Sequence, residues 1–489
     1  MTEIELKFQV PWARRTALRR AVATAKAQTL RLQAKYFDTP DRRLAAAHVT
    51  LRLRQEGDAW VQTLKCPGAN RWSRLEHEVP RTPPPDASGE PALDLALHQG
   101  TAAGELLAAA LGDEAASLQV YYETDVQRTL RLIRSPGVQA EVALDIGEIR
   151  AGSERRELHE IEFELKAGTV AGLVALAARW TERHGLWLDV VSKAERGQQL
   201  AQGAQNIPPQ HAQELVLKDP HSPDAALRQM VGSCLAHLLP NAAEVAGGSA
   251  EPEHVHQTRV AMRRLRTALR IYGDWSPAAD AGWSPALAEL FGQLGAVRDR
   301  DALESDLLPA LQAAGAPLAE LPAEAADTAV DYALRAPATT LLWLALIAFS
   351  NGAAAEGPMP KAELRALAAT KLKHLQRQLA KDAKAYASFD DSQRHRTRRR
   401  LKRLRYGIEF ASSLFGAKKV TASLERLKPA QDALGQYNDL VVAEQLFTRM
   451  LAQQPQAWFA LGWLAARRAD LLEASRRRLK KWAKAPVFW

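Results

Sequence analysis

Cysteine is almost missing from this chain: Cys66 and Cys234 stand alone, far apart and without metal-type spacing, which excludes a disulfide framework and a zinc knuckle. A reducing compartment, the cytoplasm, is the expectation. Aromatic residues make up only 6%. Long apolar runs are lacking too. The most apolar stretch, Leu341 to Phe349, is far shorter than the roughly 20 residues of a spanning helix, and the first residues carry Glu3, Glu5 and Lys7. Neither a secretory leader nor a membrane span is expected. What remains is ordinary globular composition, 47% hydrophobic and 25% charged over 489 residues, enough for several domains.

The net charge of +9 is unevenly placed. Residues 1–205 hold 27 basic and 27 acidic side chains, whereas residues 206–489 hold 38 and 29. The basic excess therefore lies wholly in the second half, which points to a polyanionic partner there and leaves the first half a different task.

In the first half, short segments alternate charged with apolar residues, the period-2 pattern of strands. These are Glu3 to Phe8, Thr50 to Arg54, Trp60 to Lys65, Arg74 to Val79, Glu141 to Ile146 and Glu160 to Lys166. Helical stretches lie between them at Trp12 to Ala27, Gly104 to Leu111 and Val170 to His184. A mostly antiparallel sheet with helices outside follows, an α+β arrangement. Residues 204–222, rich in Gln, Pro and His, read as a linker between a first domain, 1–203, and a second, 223–489. The second domain lacks strand patterns and reads as all-α.

The helical half repeats itself. His256 to Arg266 aligns without gaps on His395 to Arg405, and Leu294-Gly295 with Arg298-Asp299 aligns on Leu434-Gly435 with Asn438-Asp439. Two tandem units, about 223–360 and 361–489, are expected from a duplication.

Residues two apart on a strand share a face, so Glu3, Glu5 and Lys7 form one row and Glu160, Glu162, Glu164 and Lys166 another. If helices cover the apolar faces, these rows point into the concave side of the sheet. Clustered carboxylates there would take up protons or bind a cation, and carboxylate oxygens suit Mg²⁺ or Mn²⁺. Arg52, Arg54 and Lys65, with Arg74 and Arg128, fall on neighbouring strands, where guanidinium forks match phosphate oxygens. The alternative is a set of amphipathic strands with a solvated charged face.

Glu3 to Lys7, Tyr36 to Thr39, Leu51 to Arg54, Thr63 to Lys65, Leu144-Asp145, Glu160 to Leu165, and Ser192-Lys193 with Arg196 together resemble the CYTH family of triphosphate tunnel metalloenzymes. The resemblance implies an eight-stranded antiparallel tunnel binding triphosphate with Mg²⁺ or Mn²⁺. It implies that Glu162 and Glu164 hold a metal, and that Glu3 and Glu5 bind a second metal or orient the attacking water. Lys7, Arg52, Arg54, Lys65, Arg128 and Lys193 would grip the phosphates. Glu76, Glu78 and Asp145 would be further interior acids. Inorganic triphosphate is the expected substrate, cleaved to pyrophosphate and phosphate; adenylate cyclase and thiamine triphosphatase activities occupy similar tunnels.

On a helix, His256, Arg259, Arg263, Arg266 and Arg270 form one stripe, beside an apolar stripe of Met262, Leu265, Leu269 and Tyr272. His395, Arg398, Lys402 and Arg405 repeat the basic stripe, with Leu401, Leu404, Ile408 and Phe415 as core. A solvated basic face is the plain alternative. Nucleic acid is disfavoured, because no aromatic residue interleaves either stripe before Tyr272 or Tyr406. The pattern resembles the CHAD domain, which implies two related helical bundles binding inorganic polyphosphate, with Asp299 and Asp439 orienting arginines and recruitment to polyphosphate granules as one role. The chain would then be either an enzyme with a polyanion-binding module or chiefly a polyphosphate binder.

Overall fold

The structure, a computed structural model, describes residues 2–68, 73–82, 89–112, 118–218, 222–294, 307–317, 327–355 and 357–489. The side chains of residues 2, 3, 73, 74 and 327–329 also lie outside the description.

The strands are β1 (Thr2–Gln9), β2 (Gln28–Asp38), β3 (Thr50–Glu56), β4 (Ala59–Pro67), β5 (Ser73–Arg81), β6 (Gln119–Ser135), β7 (Val138–Ala151), β8 (Glu154–Gly168) and β9 (Trp187–Leu188). They form one sheet in the order β5-β4-β3-β2-β6-β7-β8-β1-β9, and β1 also pairs with β5. That pairing closes eight strands into a tunnel: β1 splits its partners, taking β5 along residues 2–4 and β8 along residues 5–9. The sheet thus has nine strands, one more than the expected eight. The addition is the two-residue β9 on the edge of β1, too short to show a period. The expected helix from Trp12 to Ala27 is also shorter, a 3-10 turn followed by Arg15–Val22, because the chain turns to enter β2 at Gln28.

Alternation sorts the two faces as the sequence implies. Phe8, Ile161, Phe163, Val142 and Leu144 are buried on the outside. Phe8 meets Phe163 edge-on at 5.5 Å, and Phe163 meets Trp180 of the helix Val170–His184 at 5.7 Å. Thr169 caps that helix by accepting a hydrogen bond from Gly172 N, and Gly185 ends it at φ +66°. The helix Ala102–Leu111 covers β3 and β4 through Leu51, Leu64, Ala103 and Leu107. At one end the inward face itself turns apolar. There Leu32, Ala34, Tyr36, Tyr122 and Val126 pack against Ala194 and Leu200 of the helix Lys193–Leu200. Gly197 of this helix lies so close to the Tyr122 ring that a Cβ would stand 2.2 Å from it.

The chain divides into two compact units. The first joins residues 1–210 with 238–254 and 331–348; the second joins 211–237, 255–330 and 349–489. In the second unit the principal helices are Pro252–Tyr272, Trp283–Gln293, Lys361–Ala385, Asp391–Phe410, Ala417–Met450 and Ala457–Ala483. Both copies of the repeated His-to-Arg motif lie on helices, Pro252–Tyr272 and Asp391–Phe410. Asp390 and Gln393 form a capping box at the start of the latter. Met262, Leu265, Leu269, Tyr272, Leu401, Leu404 and Ile408 are all buried; Phe415 falls beyond its helix and is half-buried against Phe488. The two helices approach at Gly407, whose carbonyl accepts a hydrogen bond from Tyr272 Oη at 2.8 Å. Gly295, Arg298 and Asp299 of the repeat lie outside the described residues.

Candidate active site and a second basic cavity

The tunnel encloses a hollow of about 310 Å³. Of the residues expected in it, Glu5, Lys7, Arg52, Arg54, Lys65, Arg128, Glu162, Glu164 and Lys193 line it, as do Glu76, Glu78 and Asp145. The Glu3 and Arg74 side chains lie outside the description, although the two backbones pair in register. Glu141 and Asp189, which sequence reasoning did not single out, also line the hollow. Glu141 shares a face with Asp145, four residues on, a signal present in the sequence; Asp189 follows the two-residue β9, where no pattern exists to read.

Strand register explains the grouping. Glu141, Glu164 and Glu5 stand opposite one another on β7, β8 and β1, and one step along lie Ala143, Glu162 and Lys7. Like charges directly opposite across strands oppose pairing, so the acidic row favours a cation. Deeper in, one carboxylate oxygen from each of Asp145, Glu160 and Glu162 falls within 4.8 Å of the others. Lys193 Nζ reaches all three, at 2.8, 2.5 and 2.5 Å. Arg128 forks onto Asp145 at 2.7 and 2.6 Å and touches Glu162 at 2.5 Å. On the facing strands Lys65 pairs with Glu76 at 2.9 Å, and Arg52 and Arg54 approach Glu78 at 3.7 and 3.5 Å.

Burial would raise the carboxyl pKa values of Asp145 and Glu162, but Lys193 and Arg128 overcome it and hold both below the ordinary range. Burial likewise opposes the Lys193 charge, and the three carboxylates raise its pKa well above the usual value. Asp145 and Glu162 are therefore ionised at neutral pH. An all-carboxylate donor set of this spacing fits a hard divalent cation.

The second hollow belongs to the helical unit, with a volume of about 1560 Å³. His256, Arg259, Arg263 and Arg266 of one repeat and His395, Arg398 and Lys402 of the other line it together. Arg405 is not among its lining residues; it pairs with Glu409 at 2.7 Å. Arg270, Arg399, Arg403 and Arg467 join the lining. Nine Arg and Lys side chains face it, against Asp439 and Asp470, among the described residues. Aromatic rings are also present, brought by other helices. Arg259, Arg263 and Arg266 lie over Phe291 at 4.6, 5.7 and 5.5 Å, and Arg467 lies 3.8 Å over Trp463. Burial and the neighbouring Arg398 and Arg263 push the Lys402 ammonium down to about 6. Burial also lowers His395, whose Nδ1 is bonded to Asn438 Oδ1.

An antiparallel sheet closed round an acid- and cation-lined hollow, followed by an all-helical unit with a basic cavity, defines a two-part protein built to handle charged ligands. The CYTH domain family matches residues 1–198 and the CHAD domain family residues 229–448. The chain belongs to the proteins that carry a CYTH domain followed by a CHAD domain. The inorganic triphosphatase of Haemophilus influenzae is 32% identical over 173 residues, 35% of this chain and 46% of that protein. This chain thus spans about half the length of that relative. Among solved structures, the CHAD domain from the plant Ricinus communis is 30% identical, covering 55% of this chain and 96% of its own, with a TM-score of 0.46. HpAC1 from Hippeastrum, named for adenylyl cyclase and described by a dominant triphosphatase activity, is 18% identical over 42% of this chain and 98% of its own, with a TM-score of 0.31. No helix among the described residues is long and apolar enough to cross a membrane.

Proposed function

We propose that the tunnel hydrolyses inorganic triphosphate to pyrophosphate and phosphate with Mg²⁺ or Mn²⁺, and that the helical cavity binds inorganic polyphosphate. The observation that carries the first part is the convergence of six phosphate-matching cations on one small hollow, beside a three-carboxylate group of which Asp145 and Glu162 line it. The similarity to the Haemophilus influenzae triphosphatase supports it. Tyr36 is the one aromatic side chain lining the hollow among the described residues, which favours a bare phosphate chain over a nucleotide.

Asp145, Glu160 and Glu162 would hold the divalent ion, with Glu164 and Glu5 facing a second. When bound, such an ion neutralises phosphate charge and polarises a phosphoryl oxygen. Lys193 and Arg128 already occupy those carboxylates, so triphosphate binding would be an exchange in which these cations turn to phosphoryl oxygens and leave the acids able to hold the ion. Arg52, Arg54 and Lys65 hold the distal phosphates in line. Glu5, with Glu3, orients the attacking water, and Lys7 steadies the phosphoryl group under attack. The oxygen of water bonds to the terminal phosphorus, the bridging P–O bond breaks, pyrophosphate leaves with its electron pair, and the proton that water gives up passes to the leaving pyrophosphate or to solvent.

A second reading, a polyphosphate-binding, granule-associated protein with an ancillary phosphatase, is favoured by the size and net charge of the helical cavity. Phosphate release from triphosphate, ATP, thiamine triphosphate and long polyphosphate, each with Mg²⁺ and Mn²⁺, separates the readings. Triphosphate should be turned over fastest and only with metal. No release from triphosphate with either ion, or faster release from ATP, sinks the first reading.

A further inference from the structure

Lys7 has three N–H donors to place. One goes to Glu160 Oε2 at 3.1 Å and one to the carbonyl of Val191, and Asp189 Oδ2 lies 3.6 Å away. The turn carrying Val191 is fixed by Asp189: its Oδ1 accepts from Val191 N at 2.8 Å, and its backbone N donates to Lys7 O at 3.0 Å. Ser192, next along, caps the helix that begins at Lys193 through a capping box with Glu195. One short turn therefore sets two of the cations in the hollow, Lys7 through a carbonyl and Lys193 through the start of its helix.

That turn is itself held from outside the residues matched by the CYTH family. Asp189 Oδ2 accepts from Arg196 Nη2 at 2.6 Å, and Arg196 Nη1 donates to Glu244 Oε1 at 3.4 Å. Glu244 Oε2 accepts from Ser249 Oγ at 2.8 Å. Lys7, Asp189, Arg196 and Glu244 are 7, 1, 5 and 0% exposed, a buried series of alternating sign running from the hollow to the segment 238–254 of the same compact unit. Among the described residues Arg196 Nε has no hydrogen-bond partner, so the donor freed by loss of Glu244 adds to an existing deficit. An independent apolar contact joins the same places: Val191 packs with Ile207 and with Ala243, the residue before Glu244.

We propose that Glu244, acting through Arg196 and Asp189, is a positioning residue of the tunnel: the segment 238–254 completes the phosphate-binding site by holding the turn that places Lys7 and Lys193. This rests on the triphosphate reading above. A buried ion keeps its place only with its partner present, so neutralising Glu244 frees Arg196 to swing and loosens Asp189 and the Val191 carbonyl with it. Lys7 and Lys193 contact phosphate before as well as during reaction, so their displacement weakens binding more than turnover.

The test uses the full chain. Glu244→Gln should raise KM for triphosphate on the order of tenfold with kcat within about twofold, and Glu244→Asp should recover part of the loss. A purely structural role would reduce the folded, active fraction, lowering kcat at constant KM; an unchanged KM in folded Glu244→Gln overturns the proposal. If Glu244→Gln does not fold, Ser249→Ala, which removes one hydrogen bond to Glu244, is read in the same way, with an expected rise in KM of about twofold and an unchanged KM as the contrary result. Should the wild type release no phosphate, the triphosphatase reading fails separately, and calorimetric titration of triphosphate into wild type and variant decides. A tenfold weaker Kd in the variant supports the positioning role; equal Kd values, or no binding by either, overturn it.

Discussion

Arginine and lysine line both hollows, yet the two treat their cations in opposite ways. In the tunnel the cations are matched by carboxylates, with seven basic and eight acidic side chains in the lining among the described residues. In the helical cavity nine Arg and Lys side chains, the neutral amine of Lys402 among them, face two aspartates among the described residues, and several guanidinium groups are held over Phe291 and Trp463 instead. A ring positions a guanidinium without neutralising it. On the proposed reading the tunnel suits a short ligand that exchanges partners with ion pairs already present, whereas the cavity leaves most of its charge unmatched, as a polyanion would require. The lesson is that the count of basic residues says little about a phosphate site; what holds each of them says more.

The largest effect that would break this comparison belongs to the tunnel acids. The double variant Glu162→Ala, Glu164→Ala should lower triphosphate turnover on the order of 10³-fold, corresponding to several kcal/mol of lost metal-dependent charge stabilisation. Its affinity for long polyphosphate should stay at the wild-type value, since the helical cavity draws on neither residue. Malachite-green phosphate release and a filter-binding assay on the same preparation measure both. Turnover that persists in the double variant would remove these acids from the chemistry.

Much of this contrast was legible in the sequence, for a definite reason. Strands place residues i and i+2 on one face, so Glu5 with Lys7, Arg52 with Arg54 and Glu162 with Glu164 disclose a shared interior wherever the opposite residues are apolar. The strand β2 is not expected from the sequence pattern, and β6 is expected only at Arg128. Along part of their length the inward face is apolar, with Leu32, Ala34, Tyr36 and Val126 meeting the helix that begins at Lys193, so a search for charged alternation passes over them. Asp189 follows a strand of two residues, and Glu244 lies on a helix distant in sequence from β1. Phe291 is on a helix other than the basic stripe it supports, and Trp463 lies under Arg467 of its own helix, outside both stripes, so a stripe read by itself suggests a surface without rings. Periodicity reports the face of one element; it does not report what another element brings to that face.

The second effect concerns the cavity and is of intermediate size. Reversing charge at Arg263, Arg266 and Arg403 together should weaken polyphosphate binding about 10²-fold at moderate ionic strength, and flatten the dependence of log Kd on log salt, because fewer counterions are exchanged. Arg405→Glu should have little effect, since Arg405 is paired with Glu409 away from the lining. Titration by fluorescence anisotropy with labelled polyphosphate at several salt concentrations measures both slopes. Duplex DNA added as competitor tests the partner: polyphosphate should displace it, and displacement in the other direction would assign the cavity to nucleic acid.

The smallest effect is a proton. Lys402 sits among Arg398, Arg263 and Arg405, with Asp439 as the nearby acid, and burial followed by these cations lowers its ammonium from 10.5 to about 6. At pH 7.5 the amine of the free cavity is therefore neutral. A bound polyanion reverses the local field and restores the ammonium toward its ordinary value, so binding should take up close to one proton, and affinity should fall as pH rises from about 6 toward the value in the bound state. Calorimetry in two buffers of different ionisation enthalpy at equal ionic strength measures the uptake directly. Burial lowers His395 as well, so the uptake assigned to Lys402 is the part that is lost in Lys402→Met. Lys402→Met should bind with only a few-fold loss and without that part of the proton uptake. The same uptake in Lys402→Met would place the titrating group elsewhere in the cavity, and no uptake in the wild type would mean that the cavity holds Lys402 charged before the polyanion arrives, as the tunnel does with Lys193.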